Sequence, residues 1–285
     1  MRKYAKKDRD GYLLVLPMML GCLMFYVIPF FMVVWYSFQS GMSRRSSFVG
    51  FDNYVKLINN DMFLLAAKNT LFFLLLGLPL ILVLSYAIAL MLKNQANRHE
   101  MLKSVLLFPY IMPVVGSVVL VDLLFANTGL LNQWLNFWGL ASKNWMESSW
   151  SFAIVILLYL WKNTGYSVIL LLSGLVAIPD RQYDYAELDG AGGLQKFIYI
   201  TMPQMWHSVF FALLFSLVNA FKCFREIFLI GGKYPGTDIY MLQHFINNNF
   251  ESLNFSQLSA ASVILFIVIV IVAGIAYKWV GTKEA

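Results

Sequence analysis

The 285 residues are 60% apolar and 13% charged, whereas a soluble domain carries roughly 25% charged residues. That balance excludes a disordered chain and argues against an ordinary soluble domain. The net charge of +6 comes from basic residues that do not form one patch, so no nucleic-acid partner is expected. Two cysteines, Cys22 and Cys223, lie in apolar runs and predict no disulfide framework.

Six apolar runs are long enough to cross a bilayer, which takes about 20 residues of helix. They cover residues 12–38, 70–92, 102–126, 150–173, 206–230 and 258–280. The first run is too long for a signal peptide, so we interpret it as a retained helix. Prolines inside the runs indicate a packed bundle whose neighbouring helices satisfy the freed backbone groups. We predict an all-α polytopic protein with six transmembrane helices in membrane lipid, with residues 1–285 forming one domain.

Lysine and arginine in the short loops predict the orientation of such a protein. After six crossings, one side of the membrane carries the basic residues of the N-terminal tail, the second loop and the C-terminus: Arg2, Lys3, Lys6, Lys7, Arg9, Lys93, Arg98, Lys103, Lys278 and Lys283. The opposite side holds Arg44, Arg45, Lys56 and Lys68 in one longer loop and then only Lys143 and Lys233. This bias predicts that both termini lie in the cytoplasm.

The segment 175–205, between the fourth and fifth runs, breaks the basic pattern of that side. Pro179 ends the preceding helix, and Asp180 can cap a new one. Acids spaced i, i+4, i+7 mark one face of this short helix, and one aromatic and two small residues mark the adjacent face. The first set is Asp180, Asp184 and Glu187, and the second is Tyr183, Ala186 and Gly190. From the residues alone, this is either a docking surface for a cytoplasmic partner or a solvated amphipathic loop.

The same segment resembles the EAA loop of ABC importer permeases, in which E-A-A is followed by D-G-A and then I-x-x-P. The counterpart residues here are Asp184, Tyr185, Ala186, Asp189, Gly190, Ala191, Ile200 and Pro203. The sequence departs from the pattern at Asp184, which replaces glutamate, and at Tyr185, which replaces alanine.

Further motifs, in the same order along the chain, resemble the carbohydrate-importer subfamily of the maltose and glycerol-phosphate type. They are FVGFDNY at 48–54, NT at 69–70, FPYIMP at 108–113, GLLN at 129–132, WK at 161–162 and the GG to PG turn at 231–236. Together with the loop at 175–205, they extend the resemblance over nearly the whole chain.

The resemblance implies a subunit that pairs with a second, homologous permease, with a heterodimer expected, in the bacterial cytoplasmic membrane. It also implies a cytoplasmic ABC ATPase dimer and an extracytoplasmic binding protein that delivers a sugar. The coupling residues implied are Tyr183, Asp184, Tyr185, Ala186, Glu187, Asp189, Gly190 and Ala191. The chain has no phosphate-binding G-x-x-x-x-G-K-[ST] motif. No cofactor is therefore expected on it, ATP-Mg is assigned to the partner subunits, and the chain is expected not to be an enzyme.

Polar side chains inside the fourth and fifth runs predict the substrate path, because sugars bind through charged and amide groups and through aromatic stacking. The predicted residues are Lys162, Asn219, Phe221, Lys222 and Arg225. Lys222 and Glu226, spaced i, i+4, can instead pair with each other within the fifth helix. Such a pair would remove much of the argument for an anionic substrate. The resemblance makes a neutral oligosaccharide the first choice. An anionic sugar or glycerol phosphate is the alternative.

Two other function classes compete with an importer subunit. A stand-alone secondary transporter accommodates six helices and buried charges but gives no reason for the loop at 175–205. An intramembrane enzyme needs paired catalytic residues at membrane depth, and none is evident. The three histidines, His99, His207 and His244, are widely separated, so no metal site is expected.

Overall fold

The computed structural model describes residues 2–41, 46–93 and 100–281, and it is almost entirely helical over them. The α-helices are α1 (Arg2–Cys22), α2 (Ile28–Tyr36), α3 (Asp52–Ile58), α4 (Asp61–Leu92), α5 (Glu100–Ile111), α6 (Val114–Phe125), α7 (Leu130–Phe137), α8 (Ser151–Ala177), α9 (Asp180–Leu188), α10 (Gly193–Lys196), α11 (Met202–Lys222), α12 (Phe224–Gly231), α13 (Leu242–Glu251) and α14 (Phe255–Gly281). Across these ranges the only β-structure is one isolated bridge between Gln39 and Phe48.

Six helical stretches are long and apolar enough to cross a membrane, which confirms the predicted all-α polytopic architecture. They are Gly11–Tyr36, Asp61–Leu92, Val114–Phe137, Ser151–Ala177, Gly193–Gly231 and Phe255–Lys278. The orientation of the termini stays a prediction. Four basic residues used for it, Arg44, Arg45, Arg98 and Lys283, lie outside the described residues.

The third predicted span, 102–126, is not one helix, and the third membrane-length stretch, Val114–Phe137, begins and ends about twelve residues later. The predicted span consists of α5 and α6, which are separated at Pro113, where the backbone is extended (ψ 149°). Proline disfavours a helical conformation in the residue before it, here Met112. The backbone between α5 and α6 is therefore irregular, which is tolerated at membrane depth only where protein or a cavity covers it.

Two π-helical turns, Leu23–Val27 and Phe197–Thr201, each end two residues before a proline. A proline lacks the N–H group, and its ring clashes with the carbonyl group of residue i−4. A wider turn accommodates both defects without ending the helix. The helical path from α10 through Pro203 into α11 is therefore continuous, and the fifth span begins well before the predicted residue 206.

Contacts divide the chain into two compact units, Met1–Leu64 with Ile246–Val268, and Leu65–Phe245 with Ile269–Ala285. In the first unit, the Asn53 amide of the 48–54 motif donates to the carbonyl groups of Ser37 (2.8 Å) and Gln39 (2.9 Å). The Tyr54 hydroxyl donates to Ser37 Oγ at 2.7 Å. The motif therefore fixes the chain where it leaves the first span.

In the second unit, α8 packs against α5 and α11 and is the most buried of the six spans. The α5 and α8 backbones are in direct contact at Gly165. A Cβ atom added there would lie 1.7 Å from the carbonyl oxygen of Leu106. Small residues at such positions allow transmembrane helices to pack closely. Gly165 therefore sets the distance between two helices that flank the site described below.

The connection from α12 to α13 is anchored to the start of α4. The Asn69 amide donates to the carbonyl groups of Thr237 (2.6 Å) and Tyr240 (3.0 Å). Beside this anchor the His244 ring is fully buried, and its Nδ1 accepts the Met241 N–H at 3.2 Å. Its Nε2 has no partner among the described residues, and Phe224 packs edge-on against the ring at 4.8 Å. Burial in these surroundings lowers the pKa of His244 to about 4.

Gly165→Ala is expected to prevent close packing of α5 on α8, because the new methyl group overlaps backbone rather than a movable side chain. Overpacking costs roughly 1–3 kcal/mol or more. Gly274→Ala is the matched control in α14, since a Cβ atom there meets nothing within 4 Å. Thermal unfolding in detergent is expected to show a lowered midpoint for Gly165→Ala and an unchanged one for Gly274→Ala. Equal midpoints would contradict the packing argument.

His244 is expected to make stability depend on pH. The unfolded histidine takes up a proton near pH 6.5, whereas the folded one stays neutral down to about pH 4. Its stabilisation is therefore present above pH 6.5 and is lost as the pH falls towards 4, by on the order of 3 kcal/mol in all. Unfolding midpoints between pH 7.5 and 4.5 measure this loss. His244→Asn keeps an acceptor for Met241 but does not titrate, so its curve should be flatter than that of the unsubstituted protein.

Candidate functional site

A polar cavity of about 300 Å³ lies among three membrane spans of the second unit. Its walls come from the α5–α6 junction, from one turn of α8 and from the α11–α12 junction. The lining residues are Tyr110, Met112, Pro113, Val114, Leu158, Tyr159, Lys162, Asn163, Asn219, Lys222, Cys223, Arg225 and Glu226. Four of the five residues predicted for the substrate path, Lys162, Asn219, Lys222 and Arg225, therefore line one cavity.

The fifth predicted residue, Phe221, is not among the lining residues. Its ring packs against the apolar cluster that contains Tyr159 and Leu217. The aromatic wall of the cavity is instead Tyr110, which stacks on Tyr166 at 4.7 Å with an interplanar angle of 17°. Phe215 in turn packs edge-on against Tyr166 at 5.6 Å. This aromatic stack can support a sugar ring. The sequence did not mark Tyr110 for this role, because only its position in the fold distinguishes it from the many other aromatic residues.

The charges in the cavity centre on an ion pair between α8 and α12. Lys162 Nζ lies 2.5 Å from Glu226 Oε1, and both side chains are largely buried. The expected pairing of Glu226 with Lys222 is therefore wrong. The chain makes a turn at Cys223 between α11 and α12, and Lys162 of the neighbouring span takes the carboxylate. A lone ionised residue costs about 2.5–3.5 kcal/mol at membrane depth on insertion scales, and pairing offsets that cost for both residues.

The ion pair leaves one acceptor unused. Glu226 Oε2 is buried and has no hydrogen-bond partner among the described residues. Two amide side chains, Asn163 and Asn219, also line the cavity and are buried. The Asn163 amide donates to the Tyr159 carbonyl oxygen at 2.8 Å, which holds it in place. The cavity thus presents fixed carboxylate and amide groups of the kind that orient a hydroxylated ligand.

Helix α9 ends at Leu188, so Gly190 lies beyond the helix and not, as the spacing suggested, on its face with Tyr183 and Ala186. Gly190 adopts a positive φ of 80° and donates to the Glu187 carbonyl oxygen, while Ala191 donates to the Ala186 carbonyl oxygen at 2.8 Å. This is the Schellman arrangement, in which the residue after the helix is left-handed and favours glycine. The Gly192 N–H then bonds to the Gln195 side chain at 2.8 Å and starts α10. Gly190 therefore reverses the chain between two helices.

The predicted coupling residues face two ways. Tyr183 is half-buried: its hydroxyl lies 2.9 Å from Thr201 Oγ1, and Lys93 Nζ lies 3.8 Å from its ring centre. Ala186 and Ala191 are also half-buried. Glu187 binds Lys196 at 2.6 Å, and this hydrogen bond lowers the pKa of its exposed carboxyl group. These residues hold the segment in shape against the rest of the chain.

The outward side of α9 carries Asp184, Tyr185 and Leu188, and Asp189 follows it. Tyr185 is 64% and Leu188 84% exposed. Leu188 was missed by the sequence argument, although its spacing of i, i+3 from Tyr185 places the two on one side of the helix. This outward face combines apolar and acidic groups, whereas Tyr183 faces inward.

Comparison with known proteins places the chain among transporters. The family model for the "Binding-protein-dependent transport system inner membrane component" matches residues 67–284. The chain is 28% identical to the sulfoquinovosyl glycerol transport system permease protein of Agrobacterium fabrum, over 87% of this chain and 81% of the relative. It is 29% identical to the trehalose/maltose transport system permease protein of Thermococcus litoralis, over 97% and 95%.

A solved structure has the same fold. It belongs to a bacterial ABC transporter involved in the import of the acidic polysaccharide alginate, and it aligns with a TM-score of 0.82 over 99% of both chains at 22% identity. The family match and the two sugar-transport relatives confirm the resemblance to carbohydrate ABC permeases that the sequence motifs indicated.

Breaking the Lys162–Glu226 pair is expected to destabilise the protein. Lys162→Met leaves a buried carboxylate without its cation, which costs roughly 3–5 kcal/mol. Lys162→Met combined with Glu226→Gln removes both charges and is expected to recover most of the unfolding midpoint. Lys56→Met is the control, because its partner Asp52 is exposed and such pairs contribute about 0–1 kcal/mol. The pair would be unimportant if the Lys162 and Lys56 variants unfolded at the same temperature.

Proposed function

We propose that this chain, which belongs to the binding-protein-dependent transport system inner membrane component family, forms one half of the translocation path of an ATP-driven importer. It is a permease subunit of an ABC sugar transporter and a multi-pass membrane protein, as predicted. It is not itself an enzyme, because ATP hydrolysis in this family belongs to partner subunits. We place it in the bacterial cytoplasmic membrane with both termini inside.

The observation that carries the proposed path is the polar cavity within otherwise apolar spans. A volume of about 300 Å³ falls at the lower end of small-molecule sites, which run to roughly 1,000 Å³. The site lies where Pro113 separates α5 from α6, and discontinuous helices commonly form the substrate sites of transporters. We assign Lys162, Asn219, Lys222 and Arg225 to substrate contact, with Tyr110 as the stacking surface and Glu226 as an acceptor.

For the partners, we propose that an extracytoplasmic binding protein delivers the sugar and that a second, homologous permease completes the path as a heterodimer. The relatives named for transport of trehalose and maltose and of sulfoquinovosyl glycerol support a sugar or a sugar derivative as the substrate. The family match rules out the stand-alone carrier, which also gave the exposed face of α9 no task.

We propose that α9 docks in a groove of the ATPase through Tyr185 and Leu188, with Asp184 beside them. These apolar side chains are exposed, and a buried apolar anchor is the usual centre of an interface. Movement of α9 would reach the membrane helices through Tyr183, which contacts both Thr201 before α11 and Lys93 at the end of α4. ATP-Mg would bind to the ATPase subunits and not to this chain.

Leu188→Glu is expected to disrupt docking, because it places a charge where an apolar side chain would be buried. The ATPase should no longer co-purify with the permease, and ATP-dependent sugar uptake into proteoliposomes should be lost. Leu253→Glu is the control, since Leu253 is similarly exposed, at 70%, and lies just before α14. If Leu188→Glu retained both the ATPase and uptake, the docking assignment would be wrong.

A further inference from the structure

The cavity contains more positive than negative charge. Three cations line it, Lys162, Lys222 and Arg225, against one carboxylate, Glu226. Since Lys162 holds that carboxylate at 2.5 Å, the pair is neutral as a unit. Neither Lys222 nor Arg225 forms an ion pair within the described ranges, and both side chains are exposed. The site therefore carries two uncompensated positive charges in a part of the protein where charges are rare and usually functional.

The backbone adds to this positive potential. Helix α6 begins at the cavity, because Pro113 and Val114 both line it. The first N–H groups of a helix have no partner within it, and the helix dipole places partial positive charge at that end. A helix N-terminus of this kind attracts anions, and it reinforces the cations without defining a site by itself.

The two free cations differ in what they recognise. An arginine guanidinium binds carboxylate, sulfonate or phosphate oxygens through two parallel hydrogen bonds, whereas a lysine acts as a point charge. The second carboxylate oxygen of the ion pair, Glu226 Oε2, is a buried acceptor that has no hydrogen-bond partner among the described residues. A ligand that satisfies all three groups carries an acidic substituent together with hydroxyl groups that can donate.

Resting on the importer function proposed above, we propose that the substrate is an anionic sugar and that Lys222 and Arg225 select it by binding its acidic group. Glu226 Oε2 accepts a hydrogen bond from a sugar hydroxyl, and Tyr110 supports the ring. This replaces the neutral oligosaccharide favoured by resemblance. A Lys222–Glu226 pair would have weakened the case for an anionic substrate, but Glu226 is bound by Lys162 instead.

The test is ligand binding to the assembled importer, with both permeases and the ATPase, in nanodiscs without its binding protein. The probes are glucuronic acid, glucose 6-phosphate and 6-deoxy-6-sulfoglucose, with glucose as the neutral control that differs only at C6. At least one acid is expected to bind about ten-fold more tightly than glucose. The double variant Lys222→Gln/Arg225→Gln should lose that preference, while Lys222→Arg/Arg225→Lys should keep it.

Two results would overturn the proposal. One is that no acid binds more tightly than glucose, whether all bind alike or none binds. The other is that the double glutamine variant assembles and still prefers the acid. If the glutamine variant failed to assemble, Lys222→Gln and Arg225→Gln singly are each expected to weaken acid binding more than glucose binding, and equal weakening would also overturn it. Co-purification of the ATPase with the unsubstituted permease is recorded in parallel, because its absence would instead refute the importer function.

Discussion

The buried ion pair between Lys162 and Glu226 determines how the other charges of the membrane region act. The interior of a membrane protein solvates ions poorly, so a buried carboxylate needs a cation nearby. For Glu226 that cation is Lys162 on α8. That choice joins two spans that no local sequence pattern connects. Among the described residues it also leaves Lys222 and Arg225 without a carboxylate, so the pairing gives the cavity its net charge. The same contact therefore has a structural consequence, the attachment of α12 to α8, and a chemical one, a positive site.

The packing of the helices makes room for this site. Close contact at Gly165 brings the α5 backbone against α8, and Pro113 then separates α5 from α6. A continuous helix from α5 into α6 would place side chains where the junction now lies, one turn beyond Tyr110. The cavity thus results from two opposite backbone effects. The glycine allows α5 and α8 to approach each other closely, and the proline ends the helical conformation between α5 and α6.

The sequence predicted the features that depend on local patterns. Hydropathy gave six apolar runs that each overlap one of the six spans, although the third run, 102–126, overlaps Val114–Phe137 only in part. It failed where a tertiary contact competes with a local one. The i, i+4 spacing favoured Lys222 for Glu226, and nothing in the chain showed that Lys162 lies closer. The sequence likewise did not predict the position of Tyr110 in the cavity wall or the inward orientation of Tyr183. The type of an aromatic residue does not indicate which surface its side chain faces.

The connection between α9 and the cavity follows from the length of one helix. Tyr183 contacts Thr201, and the π turn that ends at Thr201 continues into α11, which extends from Met202 to Lys222. A helix of that length spans about 30 Å and is stiff along its axis. Under the proposed function, a shift of α9 at one end of α11 must therefore move Asn219 and Lys222 at the other.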